Sequence, residues 1–168
     1  MTYTEFEDTL YDNINNISCI NNSFQNLNTN DPIRIHLTNY LIIRSCGTIE
    51  QGMKLLISNH FSAKTTDRYL KNFIENSVMK NSKNPSENLV NDFLKQFDNN
   101  KKINCLYDRY SNINKKQLYS SLDSLRNLRN QIAHGDRVST SHNTVNKYLD
   151  SSILLLLLIK EILEAEYI

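Results

Sequence analysis

The chain has 168 residues, about the length of one domain, and its 19 lysines and arginines nearly balance its 18 aspartates and glutamates. This balance excludes a protein that attracts polyanions over its whole surface, so RNA would have to meet a local cluster of cations. Only three glycines and two prolines are present, which argues against the many tight turns of a β-sandwich or β-barrel.

The cysteines and the hydropathy pattern favour a cytoplasmic protein outside the membrane. Cys19, Cys46 and Cys105 are odd in number and widely spaced, which favours reduced thiols over disulfides or a zinc site. These cysteines are not expected to bind a metal, and no cofactor is predicted. No signal sequence is evident, and the longest apolar run, residues 153–159, is much shorter than the roughly 20 residues of a membrane span.

Apolar residues at spacings of three and four predict a first helix over residues 3–17. Its apolar stripe consists of Phe6, Leu10, Ile14 and Ile17. Residues 19–31 are rich in Asn and Ser, so we expect a loop or a frayed helix end there.

A second helix is predicted over residues 32–59, with Asp31 as its N-cap and Pro32 in its first turn. This helix is apolar around most of its circumference, which is typical of the central helix of a bundle. Gly47 lies in the middle and lowers helix propensity by about 1 kcal/mol, so we expect a neighbouring helix to approach closely at this glycine.

Shorter helices are predicted in the middle of the chain. Thr65 or Thr66 can cap a third helix that ends near Met79, and a fourth begins at Pro85. Their inward-facing residues are expected to be Tyr69, Phe73 and Ile74 in the third helix and Leu89, Phe93, Leu94 and Phe97 in the fourth. We expect a turn at residues 99–104.

Two long helices complete the chain. The fifth is predicted over residues 115–134 with Gly135 as its stop signal, and the last runs from a Ser141 cap to residue 166. Its leucine-rich run is apolar on every face, so it must be covered on both sides by the bundle or by a second subunit.

Together these elements predict an all-α fold, an up-down bundle of five to six helices. We expect a single domain over residues 1–168. Residues 1–31 supply its N-terminal helix and Asn-rich loop, and residues 32–166 form the core bundle.

The fifth helix carries polar residues on two sides. At 100° per residue, one apolar stripe contains Leu118, Leu122, Leu125, Leu128 and Ile132. Arg129 falls within this stripe, whereas Asn130 and His134 lie on the opposite face, with Arg129 and His134 about 140° apart. Either the last turn distorts at Gly135, or a second copy supplies the missing side of a site.

Arg129 keeps its charge, which costs several kcal/mol if it is buried without a partner. Glu50 lies in an apolar stripe of the second helix and is a candidate structural partner for it. Alternatively, Arg129 extends towards a subunit boundary. His134 sits at the C-terminal end of its helix, where the macrodipole favours the imidazolium form and suits proton exchange near neutral pH.

The segment from Arg129 to His134 resembles the motif of the HEPN superfamily, in which a polar residue follows the arginine and a histidine comes a few residues later. Residues 125–135 as a whole resemble the RiboL-PSP-type branch of that superfamily. Residues 39–51 and 84–94 are similar to earlier segments of the same branch. The resemblance covers roughly residues 39–163.

This resemblance implies a small helical ribonuclease that needs no metal and that dimerises so that two motifs share one cleft. The implied reaction is attack of a ribose 2′-OH on the adjacent phosphate, which leaves a 2′,3′-cyclic phosphate and a 5′-OH end. Many such proteins are toxins or anti-phage effectors. The implied partners are RNA, a second copy, and an antitoxin or another defence-system protein.

The resemblance also implies roles for particular residues. His134 would be the general base or acid, Arg129 would stabilise charge on the phosphorane, and Asn130 would orient the imidazole or hold the phosphate. Arg126 and Arg137 either add positive charge along an RNA backbone or are ordinary solvated residues.

Two observations leave the function open. Some HEPN toxins carry a tyrosine two residues after the histidine, which a partner enzyme modifies, whereas this chain has Asp136. The alternative to a ribonuclease is a non-catalytic HEPN module for RNA binding, dimerisation or partner assembly. The near-neutral charge favours that module, and the presence of both Arg129 and His134 favours catalysis.

Overall fold

The computed structural model describes residues 3–79, 87–96 and 100–165. Within these ranges the chain forms seven α-helices and no strand. The helices are α1 (Thr4–Gln25), α2 (Ile33–Lys64), α3 (Arg68–Ile74), α4 (Glu87–Gln96), α5 (Asn100–Arg109), α6 (Lys115–Ala133) and α7 (His142–Glu164), and a π-helical segment at Glu75–Met79 follows α3. The all-α prediction is confirmed, with more helices than the expected five to six.

α2 is the central helix and contacts α1, α6 and α7. It begins at Ile33 with Pro32 at the cap position, one residue later than predicted, and the Asp31 carboxylate accepts a hydrogen bond from the Ile33 backbone N–H at 2.9 Å. The predicted close approach at Gly47 is wrong, because no atom would lie within 4 Å of a Cβ there. The glycine that permits close packing is Gly52, where a Cβ would lie 2.8 Å from Leu156 Cδ1 of α7.

α1 is longer than predicted and continues through the polar stretch expected to form a loop. Ile20 and Phe24 are buried and extend the apolar stripe beyond Ile17, so the helix persists to Gln25. The Phe24 ring also stacks on the His142 imidazole with 4.2 Å between centroids. This contact joins the end of α1 to the start of α7.

α3 differs from its prediction in its cap and in the side chains that it buries. The cap is Asp67 rather than either preceding threonine, and its carboxylate accepts from the Tyr69 backbone N–H at 2.7 Å. Ile74 is buried as expected, whereas Tyr69 and Phe73 are 86% and 65% exposed. Since Tyr69 and Phe73 share a face that Ile74 does not, a short helix that packs through Ile74 leaves both aromatic rings in solvent.

α4 and α5 follow α3 in the chain. Leu94 of α4 is buried as predicted. The predictions for the side chains of Leu89, Phe93 and Phe97, and for a helix start at Pro85, lie outside the part of the chain that the structure describes. The turn expected at residues 99–104 is wrong from Asn100 onwards, because α5 begins there and is held by the buried side chains of Leu106 and Tyr107.

α6 and α7 pack against each other and begin at side-chain caps. Asn114 and Ser141 each accept a hydrogen bond from the backbone N–H three residues further on, so the predicted Ser141 cap is confirmed. The bundle covers most leucines of α7, but Leu154 and Leu157 remain 37% and 44% exposed. In the described ranges no helix combines the length and the apolar character needed to cross a membrane.

Candidate functional site

The C-terminal end of α6 forms a Schellman motif that fixes the backbone around His134. His134 is the C-cap, and Gly135 follows with a φ of 81°. The Gly135 N–H donates to the Ile132 carbonyl at 3.1 Å, and the Asp136 N–H donates to the Gln131 carbonyl at 2.9 Å. Glycine adopts such a positive φ without strain, so the predicted stop signal is confirmed.

The faces of α6 lie as the helical projection predicts. Leu118, Leu122 and Leu125 are buried, and Leu128 and Ile132 pack against the core with part of their surface exposed. At the C-cap the His134 N–H is shared between the Asn130 carbonyl at 3.0 Å and the Gln131 carbonyl at 3.2 Å, which tightens the last turn slightly. The helical hydrogen bond to Asn130 is kept, so Arg129 and His134 point in directions close to the ideal separation of about 140°.

Arg129 is half-buried at its position in the apolar stripe. Its Nη1 makes a long contact of 3.5 Å with Asn130 Oδ1. Among the residues that it describes, the structure does not show the predicted Glu50–Arg129 ion pair. The Glu50 carboxylate instead lies 2.7 Å from Nζ of Lys54. Lys54 stands one turn further along the same helix, where a glutamate and a lysine pair readily.

Cys46 of α2 provides the contact between α2 and α6 near the motif. Its thiol donates to the Leu125 carbonyl at 3.3 Å. Burial raises the pKa of Cys46 to about 12, while Arg129 lowers it and Glu50 raises it by smaller amounts. Glu50 and Arg129 thus act on the same thiol without forming a pair. Sequence reasoning missed this contact, although Cys46 shares the stripe of Glu50 on α2.

The other predicted residues lie at and beyond the end of α6. His134 and Arg137 are exposed, and within the described ranges neither side chain has a hydrogen-bond or ion-pair partner. Arg126 differs, since its Nη2 lies 3.4 Å from Asp123 Oδ1 in the preceding turn. Arg126 is therefore partly neutralised, whereas Arg137 in the loop after the motif pairs with none of the described carboxylates.

The end of α6 offers two chemical capabilities, with the Arg129 and His134 side chains pointing in different directions. The contact between Arg129 and Asn130 places a fixed cation beside an amide, a combination that can bind phosphate oxygens. The exposed imidazole of His134 can exchange protons with a bound group. Among residues 3–79, 87–96 and 100–165, no three His, Cys, Asp or Glu side chains group closely enough to hold a metal ion.

Comparison with known proteins identifies a family for this all-α chain. The model of the family described as RiboL-PSP-HEPN matches residues 8–165. No curated protein and no solved structure matches the chain. HEPN domains are all-α, often bind RNA and dimerise, and are often ribonucleases. Because the match covers nearly the whole sequence, the chain belongs to the RiboL-PSP-HEPN family.

Proposed function

We propose that this protein is a metal-independent endoribonuclease whose active site combines the motifs of two copies. The observation that carries the proposal is the end of α6, where Arg129, Asn130 and His134 occupy consecutive turns. The His134 side chain is exposed and has no hydrogen-bond or ion-pair partner among the residues that the structure describes. The reaction is attack of a ribose 2′-OH on the adjacent phosphate. It breaks the bond from phosphorus to the 5′-oxygen and leaves a 2′,3′-cyclic phosphate and a 5′-OH end.

His134 is the residue proposed to move protons. As a general base, its neutral imidazole takes the proton of the 2′-OH as the oxygen attacks phosphorus. The 5′-oxygen takes a proton from a water molecule as it leaves, and the imidazolium then gives its proton to solvent, so each site needs one His134. The exposure of the ring supports this role, because the nucleotide needs access to it.

Arg129 and Asn130 are the residues proposed to hold the phosphate. The phosphorane carries more negative charge than the phosphodiester, and a guanidinium that stays charged stabilises this increase. Partial burial of Arg129 and its contact with Asn130 limit the movement of the guanidinium. Such a fixed position favours the transition state, because little reorganisation is needed during the reaction.

The geometry of one α6 supports a site built from two copies. Arg129 and His134 point about 140° apart on an ideal helix, and α6 keeps its helical hydrogen bond from the His134 N–H to the Asn130 carbonyl. One copy therefore has difficulty reaching a single phosphate with both side chains. A two-fold dimer that faces two α6 ends towards each other would place Arg129 of one copy beside His134 of the other.

Family membership supports a biological role as a toxin or an anti-phage effector. In that role the protein acts in the cytoplasm, and an antitoxin or another defence-system protein restrains it. A non-catalytic HEPN module for RNA binding or assembly is the competing function, and the near balance of 19 cationic and 18 anionic residues favours it.

Cleavage of a mixed RNA panel in EDTA tests the proposal. Wild type should produce 2′,3′-cyclic phosphate ends, and His134→Ala should cut at least about 100-fold more slowly. His36→Ala is the matched control, because His36 is an exposed histidine on α2, a helix that carries no residue of the motif. Absence of cleavage by wild type across the panel would favour the non-catalytic module instead.

Mixing two inactive variants tests the shared site. Arg129→Ala and His134→Ala should each be inactive alone, but random exchange of subunits should restore about a quarter of wild-type activity. Half of the dimers would then be mixed, and each mixed dimer would hold one intact site of two. A mixture as inactive as its components would contradict a composite site.

A further inference from the structure

The exposed face of α6 carries a line of polar residues that extends well beyond the motif. We call it the polar stripe, and it consists of Lys116, Ser120, Asp123, Asn127, Asn130 and His134. Successive members are four or three residues apart, so they share one face of the helix. At 1.5 Å per residue, Lys116 and His134 stand about 27 Å apart along α6.

A groove of about 580 Å³ borders the N-terminal half of the polar stripe. Lys116, Ser120 and Asn127 of the stripe line it, together with Ser124. The Lys116 ammonium and the Asn127 amide can donate hydrogen bonds to phosphate oxygens. The hydroxyls of Ser120 and Ser124 donate to the Gln117 and Ser120 carbonyls at 3.1 and 2.7 Å and would have to leave them to do the same. The groove can therefore bind a nucleic-acid backbone at a point well separated from His134.

The charges around the groove are arranged in favour of an anion. Lys115 is held at its edge, with Nζ 2.9 Å from Asn104 Oδ1 and 5.3 Å from the centre of the Tyr107 ring. Lys116 is exposed and has no ion pair in the described ranges. Among the described residues that line the groove, Asp123 supplies the carboxylate, which Arg126 at 3.4 Å partly neutralises.

A protein partner fits this face less well than a nucleic acid does. None of the large apolar side chains exposed in the described ranges belongs to α6, whereas the centres of protein interfaces are apolar. The polar groups also lie in a single line, which suits one strand rather than the two backbones of a duplex.

We infer that the groove beside the polar stripe is a binding site for the phosphate backbone of single-stranded RNA, with Lys116 contacting a phosphate several nucleotides from the one at His134. This inference rests on the proposed function, since it assigns the path of the RNA that reaches the motif. In the dimer proposed above only the ends of the two α6 helices need to meet, so the groove stays open to the strand.

Binding of fluorescent 2′-O-methyl oligonucleotides tests the inference, because they lack the attacking 2′-OH and remain uncut. The probes are a dinucleotide and an oligomer of about ten nucleotides, measured by anisotropy at several salt concentrations. Lys116→Gln should weaken binding of the long probe about three- to tenfold and reduce the slope of log K against log salt by about 0.7. The dinucleotide should bind the variant and wild type alike.

Lys147→Gln is the control, because Lys147 is an exposed lysine on α7 and its loss removes the same charge. Equal effects of the two substitutions on the long probe would overturn the inference. It would also be overturned if Lys116→Gln weakened both probes equally, or if light scattering showed that Lys116→Gln separates dimers, since the face would then bind a second copy. Length-dependent binding through Lys116 without any RNA cleavage would support the inference while contradicting the proposed nuclease.

Discussion

α2 contacts α7 and α6 in different ways, and the difference explains where a functional group can be placed in this bundle. Against α7 the contact is close and apolar, with Leu156 Cδ1 at 2.8 Å from where a Cβ of Gly52 would stand. Against α6 the contact includes the Cys46 thiol and the nearby charges of Glu50 and Arg129. The α7 side stabilises the fold, and the looser α6 side allows an arginine to stay charged and half-buried.

The largest expected effect is on the reactivity of the Cys46 thiol, which lies on the α6 side of α2. With burial raising its pKa from 9.0 to about 12, only about one thiol in ten thousand is ionised at pH 8. Cys19 and Cys105 are exposed, so iodoacetamide should label them at least about 100-fold faster than Cys46. Mass spectrometry of labelled peptides measures the rates, and Cys46 should react like the others in guanidinium chloride.

The same experiment can probe the charge on the α6 side. Arg129 lowers the pKa of Cys46, so Arg129→Met should slow labelling of this thiol further. Unchanged labelling of Cys46 in Arg129→Met would mean that the guanidinium is too distant or too solvated to act on the α2–α6 contact.

A larger side chain at Gly52 tests the close packing between α2 and α7. Gly52→Val should lower the free energy of unfolding by about 1–3 kcal/mol, because its methyl groups would overlap the fully buried side chain of Leu156. Gly47→Val is the matched control on the same helix, where nothing lies within 4 Å of the added Cβ. Urea denaturation should find the control near wild type, and equal losses would argue against close packing at Gly52.

The pH dependence of stability offers a finer test of the α7 side. His142 of α7 has a lowered pKa because of partial burial and, to a lesser extent, the Arg34 guanidinium of α2. The folded state thus favours neutral imidazole, so this stability is present above about pH 6.5 and is lost as pH falls through the folded pKa. The loss should stay below about 1 kcal/mol, because solvent screens the half-exposed ring.

Urea denaturation at pH 7.5 and pH 5.5 measures that loss. His142→Gln should show a smaller decrease in unfolding free energy over this interval than wild type. Its loss of the stacking contact with Phe24 lowers stability equally at both pH values and does not affect the comparison. Equal decreases in the two proteins would contradict a role for His142.

The smallest effect is expected at Glu50, on the α6 side. The sequence suggested a buried pair with Arg129, whose loss would cost several kcal/mol. With Glu50 paired to Lys54 instead, Glu50→Gln should change stability by only about 0.5 kcal/mol. Double-mutant cycles measured by urea denaturation should find coupling of Glu50 with Lys54, and a larger coupling with Arg129 would restore the original prediction.

Sequence reasoning succeeded where the physical signal was local. The end of α6 at Gly135 and the Ser141 cap depend on residues only a few positions apart, and both predictions are confirmed. The faces assigned to Leu125 and Leu122 also follow from helical period alone. These signals were enough to predict an all-α bundle and the position of the motif at the end of a long helix.

It failed where the answer depended on which helix lies nearby. Gly47 and Gly52 look equivalent in sequence, and only the position of α7 distinguishes them. Tyr69 and Phe73 have apolar rings, but the face that α3 turns inward carries Ile74 instead. The partner of Glu50 likewise required knowing that Lys54 reaches it more easily than Arg129 does.

The Schellman motif at the end of α6 also makes opening of the candidate site measurable by hydrogen exchange. The amides of Gly135 and Asp136 lie beyond the helix yet donate hydrogen bonds back into it, so their exchange with deuterium requires the last turn to open. The exchange rates of these two amides therefore report how often the backbone at the end of α6, next to His134, opens. A ligand that needs this backbone closed would slow their exchange, and residues of the following loop would serve as the internal reference.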